Sequence, residues 1–584
     1  EQLHKKTGQS FLNGAIILGA GTMAVKLIGV FFKIPLERML NGIGYSYFST
    51  AYDLFTPIYA LSVSGFPVAV SKLVSENLAL GRYRDVRRIR RISMLMFMLI
   101  GVIGSLAMFF GAGIFVKSVN NPSAYLAVAV MSPALFFGCM SAAFRGYYQG
   151  FQDMKPTAVS QITEAFAKLA AGLSLCYLAG RWGLSVYEKT GAVFGTAAAT
   201  LEEAQLAVLP YSAAGAVAGV TLSTLAGFAY ISIRYHVKGD SLTKQELLSS
   251  PVPMRKRAIG KKIIAIAVPV CLSTLVANIT TIIDLTSLMN RMAAAVKQNL
   301  DAILRMYDGL IPVLQSPSEI PAYLYGAYTG MAIPLYNLVP TITTTIGVSI
   351  LPAVSAAWAE NNRPLVNKNI ETVLRLTSMI AIPAGLSLAV LAKPILFLLY
   401  SSAERIAIVA PMLRLLGIAV IFVALTTPSN SMLNAIGRVD IPVKIMLIGS
   451  ALKLAVNYTV VSIPHINIQG APFGTILCYL FIAVSSIITL CKITQVKISF
   501  YQTFLKPFLC AAVCAGTAYA SFGFISRMIA KPFSKTATVL SIIIAGSVYA
   551  ISLMLSNTIK KSDILMLPNG EKIVKILEKL SVLR

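Results

Sequence analysis

Lysines inside apolar stretches are the residues of this chain whose chemistry stands out. Lys26 and Lys33 occupy one hydrophobic run, about two helical turns apart, so their ammonium groups project from the same face of a helix. A charged side chain at the centre of a membrane costs about 3 kcal/mol unless it faces water or a partner. The pair therefore predicts an anion-binding cavity. For Lys33, nearer the end of its run, extension to the membrane surface is the alternative.

Other charged side chains in apolar runs are further candidates for lining that cavity. Asp53 is a candidate counter-ion to Lys26. Glu164 and Lys168 are at positions i and i+4, a spacing that also fits an ion pair within one helix. The predicted substrate-binding residues are Lys26, Lys33, Asp53, Asp284, Lys453, Lys168 and Glu164.

A further set of residues predicts an inner gate. Glycines and a proline surround polar residues in the segment 145–156, and this composition favours bending. Glu76 and Glu360 end two similar stretches that each lead into a basic loop. The predicted gate and loop residues are Arg145, Gly146, Gly150, Asp153, Pro156, Glu76 and Glu360.

The elements that carry these residues must be membrane helices. The chain has 584 residues, of which 56% are hydrophobic and 12% charged, and its mean hydropathy is +0.73. A soluble chain would carry about 25% charged residues. Apolar runs long enough to cross the hydrocarbon core predict an all-α integral membrane protein with about fourteen transmembrane helices. The first two lie near 11–34 and 45–70, and the eighth near 326–356.

The sequence also repeats itself. Residues 69–77 are similar to 353–361, and residues 150–153 to 437–440. Two such pairs, in the same order and at nearly the same offset, predict two six-helix lobes of equal orientation with the substrate site between them. The predicted organisation is an N-terminal lobe at 1–236, a basic cytoplasmic linker at 237–262, a C-terminal lobe at 263–495, two more helices at 496–556 and a cytoplasmic amphipathic tail at 557–584.

The formal net charge of +27 is mostly a topology signal. Lys and Arg concentrate in the loops on the side of both termini, which the positive-inside rule assigns to the cytoplasm. Because the charges are divided among loops beside membrane spans, they argue against nucleic-acid binding. Arginines in the loop after the second span predict binding to anionic lipid headgroups or, alternatively, attraction of substrate phosphates. They are Arg82, Arg84, Arg87, Arg88, Arg90 and Arg91.

Patterns typical of catalytic or metal sites are missing from the sequence. The seven cysteines, an odd number, lie in or beside apolar spans, so we expect no disulfide framework. The three histidines are far apart, which argues against a zinc site. No glycine-rich loop ends in Gly-Lys-Ser or Gly-Lys-Thr, so we expect no ATP hydrolysis by a P-loop. We therefore predict a transporter and not an enzyme, without a cofactor, driven by the membrane potential or a Na⁺ or H⁺ gradient.

Two longer motifs resemble a known family. Residues 61–76, LSVSGFPVAVSKLVSE, resemble the second-span signature of the SpoVB/YtgP branch of the MurJ-type lipid II flippases, in the MOP (MATE-like) exporter superfamily. Residues 144–161, FRGYYQGFQDMKPTAVSQ, are similar to the segment between the fourth and fifth spans of that branch. Shorter matches at 334–337 and 567–570 extend the resemblance over essentially the whole chain.

The resemblance implies a V-shaped bundle of two lobes around a cationic cavity that opens alternately inward and outward. The implied cargo is an undecaprenyl-diphosphate-linked glycan, chiefly the peptidoglycan precursor lipid II, moved to the outer leaflet of a bacterial cytoplasmic membrane for wall growth or sporulation. Family members carry cations on the first span with a glycine between them, and Lys26, Gly29 and Lys33 match this pattern. The chain lacks the arginine that the MurJ group has near the end of the second span, and Asp53 occupies a usually uncharged position.

Three other functions stay open at this point. They are a Na⁺- or H⁺-coupled drug exporter of the MATE type, a flippase for another lipid-linked polysaccharide, and a non-transporting membrane scaffold. The drug exporter needs an ion-binding carboxylate, for which Asp53 and Asp284 are the candidates. We expect a monomer whose partners are the lipid-linked glycan diphosphate, anionic membrane lipids and cell-wall synthesis enzymes.

Overall fold

The chain is built almost entirely of helices. The computed structural model describes residues 11–240, 242–312, 316–496, 498–529, 533–556 and 558, so the predicted tail at 557–584 lies outside them apart from Thr558. The all-α membrane class predicted from hydropathy is confirmed, with a single small antiparallel hairpin in the described residues, β1 Ala192–Val193 and β2 Thr196–Ala197. The helices are α1 Phe11–Ala79, α2 Tyr83–Ser118, α3 Tyr125–Gly150, α4 Lys155–Thr190, α5 Leu201–Lys238, α6 Lys244–Ser249, α7 Lys256–Gln298, α8 Leu300–Tyr307, α9 Ile320–Ala327, α10 Ile333–Tyr336, α11 Leu338–Ala359, α12 Arg363–Val390, α13 Ala392–Leu399, α14 Ala403–Ala435, α15 Asp440–Val460, α16 Ala471–Thr494, α17 Lys506–Met528 and α18 Lys535–Leu555.

Helix α1 is long enough for two membrane crossings. It joins the two predicted spans at 11–34 and 45–70, with one non-helical residue inside it, Asn41, at φ 55° and ψ −172°. Its apolar part, Gly21–Ala79, has 59 residues. At 1.5 Å per residue this is about 88 Å, against a hydrocarbon core of about 30 Å. The described residues contain 12 helices that are long and apolar enough to cross a membrane, and α1 counts once among them, so the expected number of fourteen is not confirmed.

The predicted eighth span, 326–356, is interrupted. Helix α9 passes into a π-helix at Tyr328–Ala332, followed by the short α10 and then by α11. Pro334 has no N–H with which to continue an α-helical ladder, and the π-helix directly precedes the turn that contains it. All residues of α9 are buried, so this element is part of the packed core.

Contacts within the chain define two compact units. Helix α7, predicted to open the C-terminal lobe at 263, belongs to the first unit, where Cys271 Sγ donates to the carbonyl oxygen of Leu61 in α1 at 3.0 Å. The observed division therefore differs from the predicted boundary at 237–262. The first unit contains residues 1–297 and 313–330, and the second contains 298–312 and 331–584.

Helices α1 and α11 end in the same kind of turn. In each, a residue with a left-handed backbone follows the last helical turn: Gly81 with φ 66° and Asn361 with φ 53°. The N–H of the next residue then bonds to the carbonyl oxygen five positions earlier, at 2.8 and 3.0 Å. Gly81 therefore matches Asn361 in structure. The sequence motif instead matches Asn361 with Asn77, which lies one helical turn before Gly81.

Helices α3 and α14 also end alike. Gln152 with φ 61° and Gly437 with φ 82° hold the equivalent left-handed position, and the following N–H groups bond back at 3.1 and 3.0 Å. The sequence motif, which matched Gly150 with Gly437, is thus two residues out of register. The next helices, α4 and α15, each carry a lysine as their fourteenth residue, Lys168 and Lys453.

Candidate anion-binding site

Two lysines of the first unit face one aromatic ring. Lys33 Nζ, in the first part of α1, lies 5.7 Å from the centre of the Tyr52 ring, and Lys168 Nζ, in α4, lies 5.9 Å from the same centre. In a straight helix Lys33 and Tyr52 would be about 28 Å apart. The break at Asn41 therefore allows the two parts of α1 to fold back and bring these residues together.

Neighbouring aromatic residues hold the Tyr52 ring. Its centre lies 5.6 Å from the centre of the Phe48 ring, and the two rings stack. Tyr52, Phe55 and Tyr59 continue the row, with successive ring centres 6.3 and 5.0 Å apart. Sequence reasoning missed this aromatic ladder, although its spacing of three and four residues is visible in the sequence.

The two ammonium groups have no carboxylate in direct contact within the part of the chain that the structure describes. No Asp or Glu oxygen of the described residues lies within 4.0 Å of Lys33 or Lys168. A cation beside an aromatic ring gains about 0.5–2 kcal/mol, whereas a lysine within a membrane span costs about 3 kcal/mol. The rings therefore offset only part of the cost, and the arrangement favours an anion beside both lysines. Lys26, about two turns before Lys33, is exposed.

Asp53 contributes one negative charge near these lysines. Its Oδ2 accepts a hydrogen bond from the hydroxyl group of Tyr325 in α9 at 2.8 Å. The charged groups that act on it are Lys33 and Asp284, which lies in α7 of the same unit. Lys33 therefore acts on Asp53, and the expected pairing of Asp53 with Lys26 stays a prediction.

Glu164 does not pair with Lys168, and the predicted ion pair within α4 is wrong. Glu164 Oε2 instead accepts from Arg145 Nη2 of α3 at 2.8 Å. The same guanidinium donates from Nε to Ser160 Oγ of α4 at 3.0 Å. The spacing in the sequence could not show this partner, since it comes from a neighbouring helix.

The predicted gate residues lie at packing contacts between helices. Gly146 and Gly150 face α1 so closely that a Cβ atom added to Gly146 would lie 2.8 Å from Pro67 Cα. Asp153 Oδ2 pairs with Arg234 Nη2 of α5 at 3.2 Å, and Pro156 is buried in the first turn of α4. These contacts give the residues structural roles, and bending of the segment stays a prediction.

Three other predicted residues lie on different elements. Glu76 forms an exposed i,i+4 pair with Lys72 at 3.9 Å, which contributes little to stability. Glu360 is exposed at the end of α11, and Lys453 is buried in α15 of the second unit.

Most arginines of the basic loop contact the protein itself. Arg84, Arg87 and Arg88 contact the segment that joins α5 to α7, so these three contacts tie this connection to α2. Binding of anionic lipids by the loop stays a prediction. The contacts are Arg82 Nε to Asp85 Oδ2 at 3.1 Å, Arg84 Nε to the Leu247 carbonyl oxygen at 2.8 Å, Arg87 Nε to Asp240 Oδ2 at 3.1 Å, Arg88 Nη1 to the Met254 carbonyl oxygen at 2.7 Å, and the Arg90 guanidinium 4.4 Å from the centre of the Tyr235 ring.

Asp240 is the buried acceptor for one of these arginines and for two further donors, so its removal should lower stability. Its buried carboxylate accepts from Arg87, from the Tyr147 hydroxyl group at 3.1 Å and from the Leu242 N–H at 3.3 Å. Asp240→Ala should cost about 2–4 kcal/mol of stability, because buried donors lose their partner. Thermal unfolding in detergent measures this, with Glu76→Ala as an exposed control expected to change it by under about 0.5 kcal/mol. Equal melting temperatures for the two variants would contradict the prediction.

Two family models match the chain. The model for polysaccharide biosynthesis proteins matches residues 11–359, and the model for the lipid II flippase MurJ matches residues 328–560. The first match spans more than half of the chain. The chain therefore belongs to the family of polysaccharide biosynthesis proteins.

Individual proteins are similar over most of the chain. Stage V sporulation protein B of Bacillus subtilis (strain 168) is 22% identical over 567 residues, covering 96% of this chain and 98% of that protein. The structure of lipid II flippase MurJ in an inward closed conformation matches with a TM-score of 0.64 at 14% identity, covering 92% of this chain and 98% of that one. An inward-facing multidrug resistance MATE family transporter matches with a TM-score of 0.59 at 14% identity, covering 82% of this chain and 99% of that one.

These matches define the class of the protein. The fold is that of the MOP superfamily, and the resemblance predicted from the motifs at 61–76 and 144–161 is confirmed. The chain is a multi-pass membrane protein. The matched flippase and MATE proteins are transporters and not enzymes, in agreement with the prediction.

Proposed function

We propose that the protein is a flippase that moves an undecaprenyl-diphosphate-linked cell-wall precursor, lipid II, from the inner to the outer leaflet of a bacterial cytoplasmic membrane. The observation that carries this proposal is the pair Lys33 and Lys168, two cations that lie beside one ring inside membrane helices with no carboxylate of the described residues within 4.0 Å. A diphosphate requires several cationic donors in a partly dehydrated site. Lysines act there as point charges, which tolerate a headgroup that moves during transport.

The membrane potential supplies a driving force for this cargo. With a negative cell interior, outward movement of an anion gains about 2.3 kcal/mol per charge for each 100 mV. Both termini lie in the cytoplasm in this proposal, as the distribution of Lys and Arg indicates. The chain then needs no ATP and works as a monomer.

Complementation tests the proposal. The chain is expressed in bacteria depleted of their own lipid II flippase, beside Lys26→Ala and a control, Lys189→Ala, which changes an exposed lysine in the last turn of α4. We expect the parent and Lys189→Ala to restore growth, and a normally expressed Lys26→Ala to restore at least about tenfold fewer colonies, because Lys26 is a further cation that the sequence predicts for the cavity.

Each result of this experiment has a distinct meaning. Rescue by the parent and by Lys26→Ala alike would retain lipid II as the cargo and remove Lys26 from the site. A parent that reaches the membrane but fails to rescue growth would exclude lipid II, and another lipid-linked glycan would then be tested as cargo.

One observation favours a second candidate function, export of drugs coupled to Na⁺ or H⁺. Asp53 is a carboxylate inside a membrane helix whose Oδ2 accepts a hydrogen bond from the Tyr325 hydroxyl group at 2.8 Å, and such a group suits binding of a proton or cation. Efflux of a cationic dye from vesicles, driven by a Na⁺ or pH gradient and lost in Asp53→Asn, would support this function. Vesicles that move lipid II without either gradient would reject it.

A further inference from the structure

The guanidinium group of Arg145 bridges two turns of the neighbouring helix. Its Nε donates to Ser160 Oγ at 3.0 Å and its Nη2 to Glu164 Oε2 at 2.8 Å, so both residues on α4 are held by one side chain from α3. Arg145 is 5% exposed, and the Glu164 side chain is 22% exposed. Tyr59 of the aromatic ladder lies beside the same guanidinium. The group is therefore fixed from three elements.

This bridge decides which way the Glu164 carboxylate points. Glu164 precedes Lys168 by one helical turn, the spacing at which a glutamate and a lysine normally pair. A charge-assisted bond to a planar guanidinium is stronger than a bond to a flexible ammonium group. Glu164 therefore turns to Arg145, and Lys168 turns to the rings of Phe32 and Tyr52.

We infer that Arg145 is a positioning residue that withholds Glu164 from Lys168 and so keeps the anion site cationic. The inference rests on the proposed function, since the anion it concerns is the diphosphate of the lipid-linked cargo. Without Arg145, the free carboxylate would pair with Lys168 and repel the diphosphate. The role differs from simple packing, because it predicts that removal of Glu164 improves binding of the anion.

Binding of undecaprenyl diphosphate to the purified full chain in detergent, followed by native mass spectrometry, tests the inference. Arg145→Gln should weaken binding about tenfold, as expected for loss of one charge-assisted contact. The double variant Arg145→Gln with Glu164→Gln should return to within about twofold of the parent, and Glu164→Gln alone should bind a few-fold tighter. A double variant that stays folded but binds as weakly as Arg145→Gln would overturn the inference, as would weaker binding by Glu164→Gln.

A second measurement reports on Lys168 without any ligand. Lysines are methylated with a ¹³C label, and the NMR signal of Lys168 is identified by its loss in Lys168→Arg. Arg145→Gln should shift this signal, and the double variant should restore it, because only the single variant leaves Glu164 free. An unshifted signal in Arg145→Gln would refute the positioning role.

The two measurements separate this inference from the proposed function. A parent that binds no undecaprenyl diphosphate while the Lys168 signal responds as expected would overturn the function and leave the positioning role in place. Arg234→Gln is the matched control, since it breaks another pair of an arginine with a carboxylate in the first unit, that of Arg234 with Asp153 at 3.2 Å. It should change neither the binding nor the Lys168 signal.

Discussion

Replacement of both Lys33 and Lys168 by glutamine is expected to lower the affinity for undecaprenyl diphosphate at least about 100-fold. Each lysine that contacts a phosphate contributes about 1.5–3 kcal/mol through a charge-assisted hydrogen bond, and each 1.4 kcal/mol is a factor of ten. Both ammonium groups lie within 6 Å of the Tyr52 ring centre, at 5.7 and 5.9 Å, so they can act on one diphosphate. Titration of the purified protein in detergent measures the affinity.

The stability of the glutamine double variant should rise, although its affinity for undecaprenyl diphosphate falls. Two cations inside membrane helices, with no carboxylate of the described residues within 4.0 Å, destabilise the folded protein, so their removal should raise the melting temperature. The double variant with arginine at both positions keeps the charges and should retain binding within about tenfold. Affinity unchanged from the parent in the glutamine variant would remove these lysines from the site.

Gly146→Leu is expected to prevent folding, and Gly146→Ala to lower the melting temperature. A Cβ atom added at Gly146 would lie 2.8 Å from both Cα and the carbonyl oxygen of Pro67. These are backbone atoms of α1, which cannot move aside without separating α1 from α3. Overpacking of this kind costs about 1–3 kcal/mol for one methyl group and more for a larger side chain. Yield of monomeric protein and thermal unfolding in detergent measure the effect.

Gly516→Ala provides the matched control. Gly516 lies in α17, and nothing lies within 4 Å of a Cβ atom added there. Alanine should be neutral or stabilise by up to about 1 kcal/mol at such a helical position. If Gly146→Ala were as stable as the parent but lost transport, the result would support a role of Gly146 in bending and not in packing.

Hydropathy predicts the fold class, but it does not predict how the helices are joined or to which unit each helix belongs. Apolar runs identify the spans at 11–34 and 45–70, because the hydrocarbon core sets their length. The joining of both runs in α1 depends on the backbone of Asn41, and although the pair Asn41-Gly42 favours a positive φ, it does not show that the helix resumes directly after it. The membership of α7 in the first unit likewise depends on contacts between distant parts of the chain, such as Cys271 with Leu61.

The sequence predicts the charged residues of the candidate site, but it does not predict which side chains contact them. Lys33 and Lys168 were identified because lysines in apolar runs are costly. Their shared partner, Tyr52, was missed, since aromatic residues are common in membrane helices and do not reveal which cation they face. Glu164 was assigned to the wrong partner because spacing within α4 shows only neighbours on the same helix.

The matched positions of Lys168 and Lys453 have an evolutionary consequence. Both are the fourteenth residues of helices that follow equivalent turns, yet Lys168 faces an aromatic ring, whereas Lys453 is 3% exposed in α15. A half-length ancestor that paired with itself would have placed identical lysines in identical surroundings. Once two copies were fused into one gene, each lysine could be selected separately. The two copies therefore place this lysine in different surroundings, as separate selection after a fusion would allow.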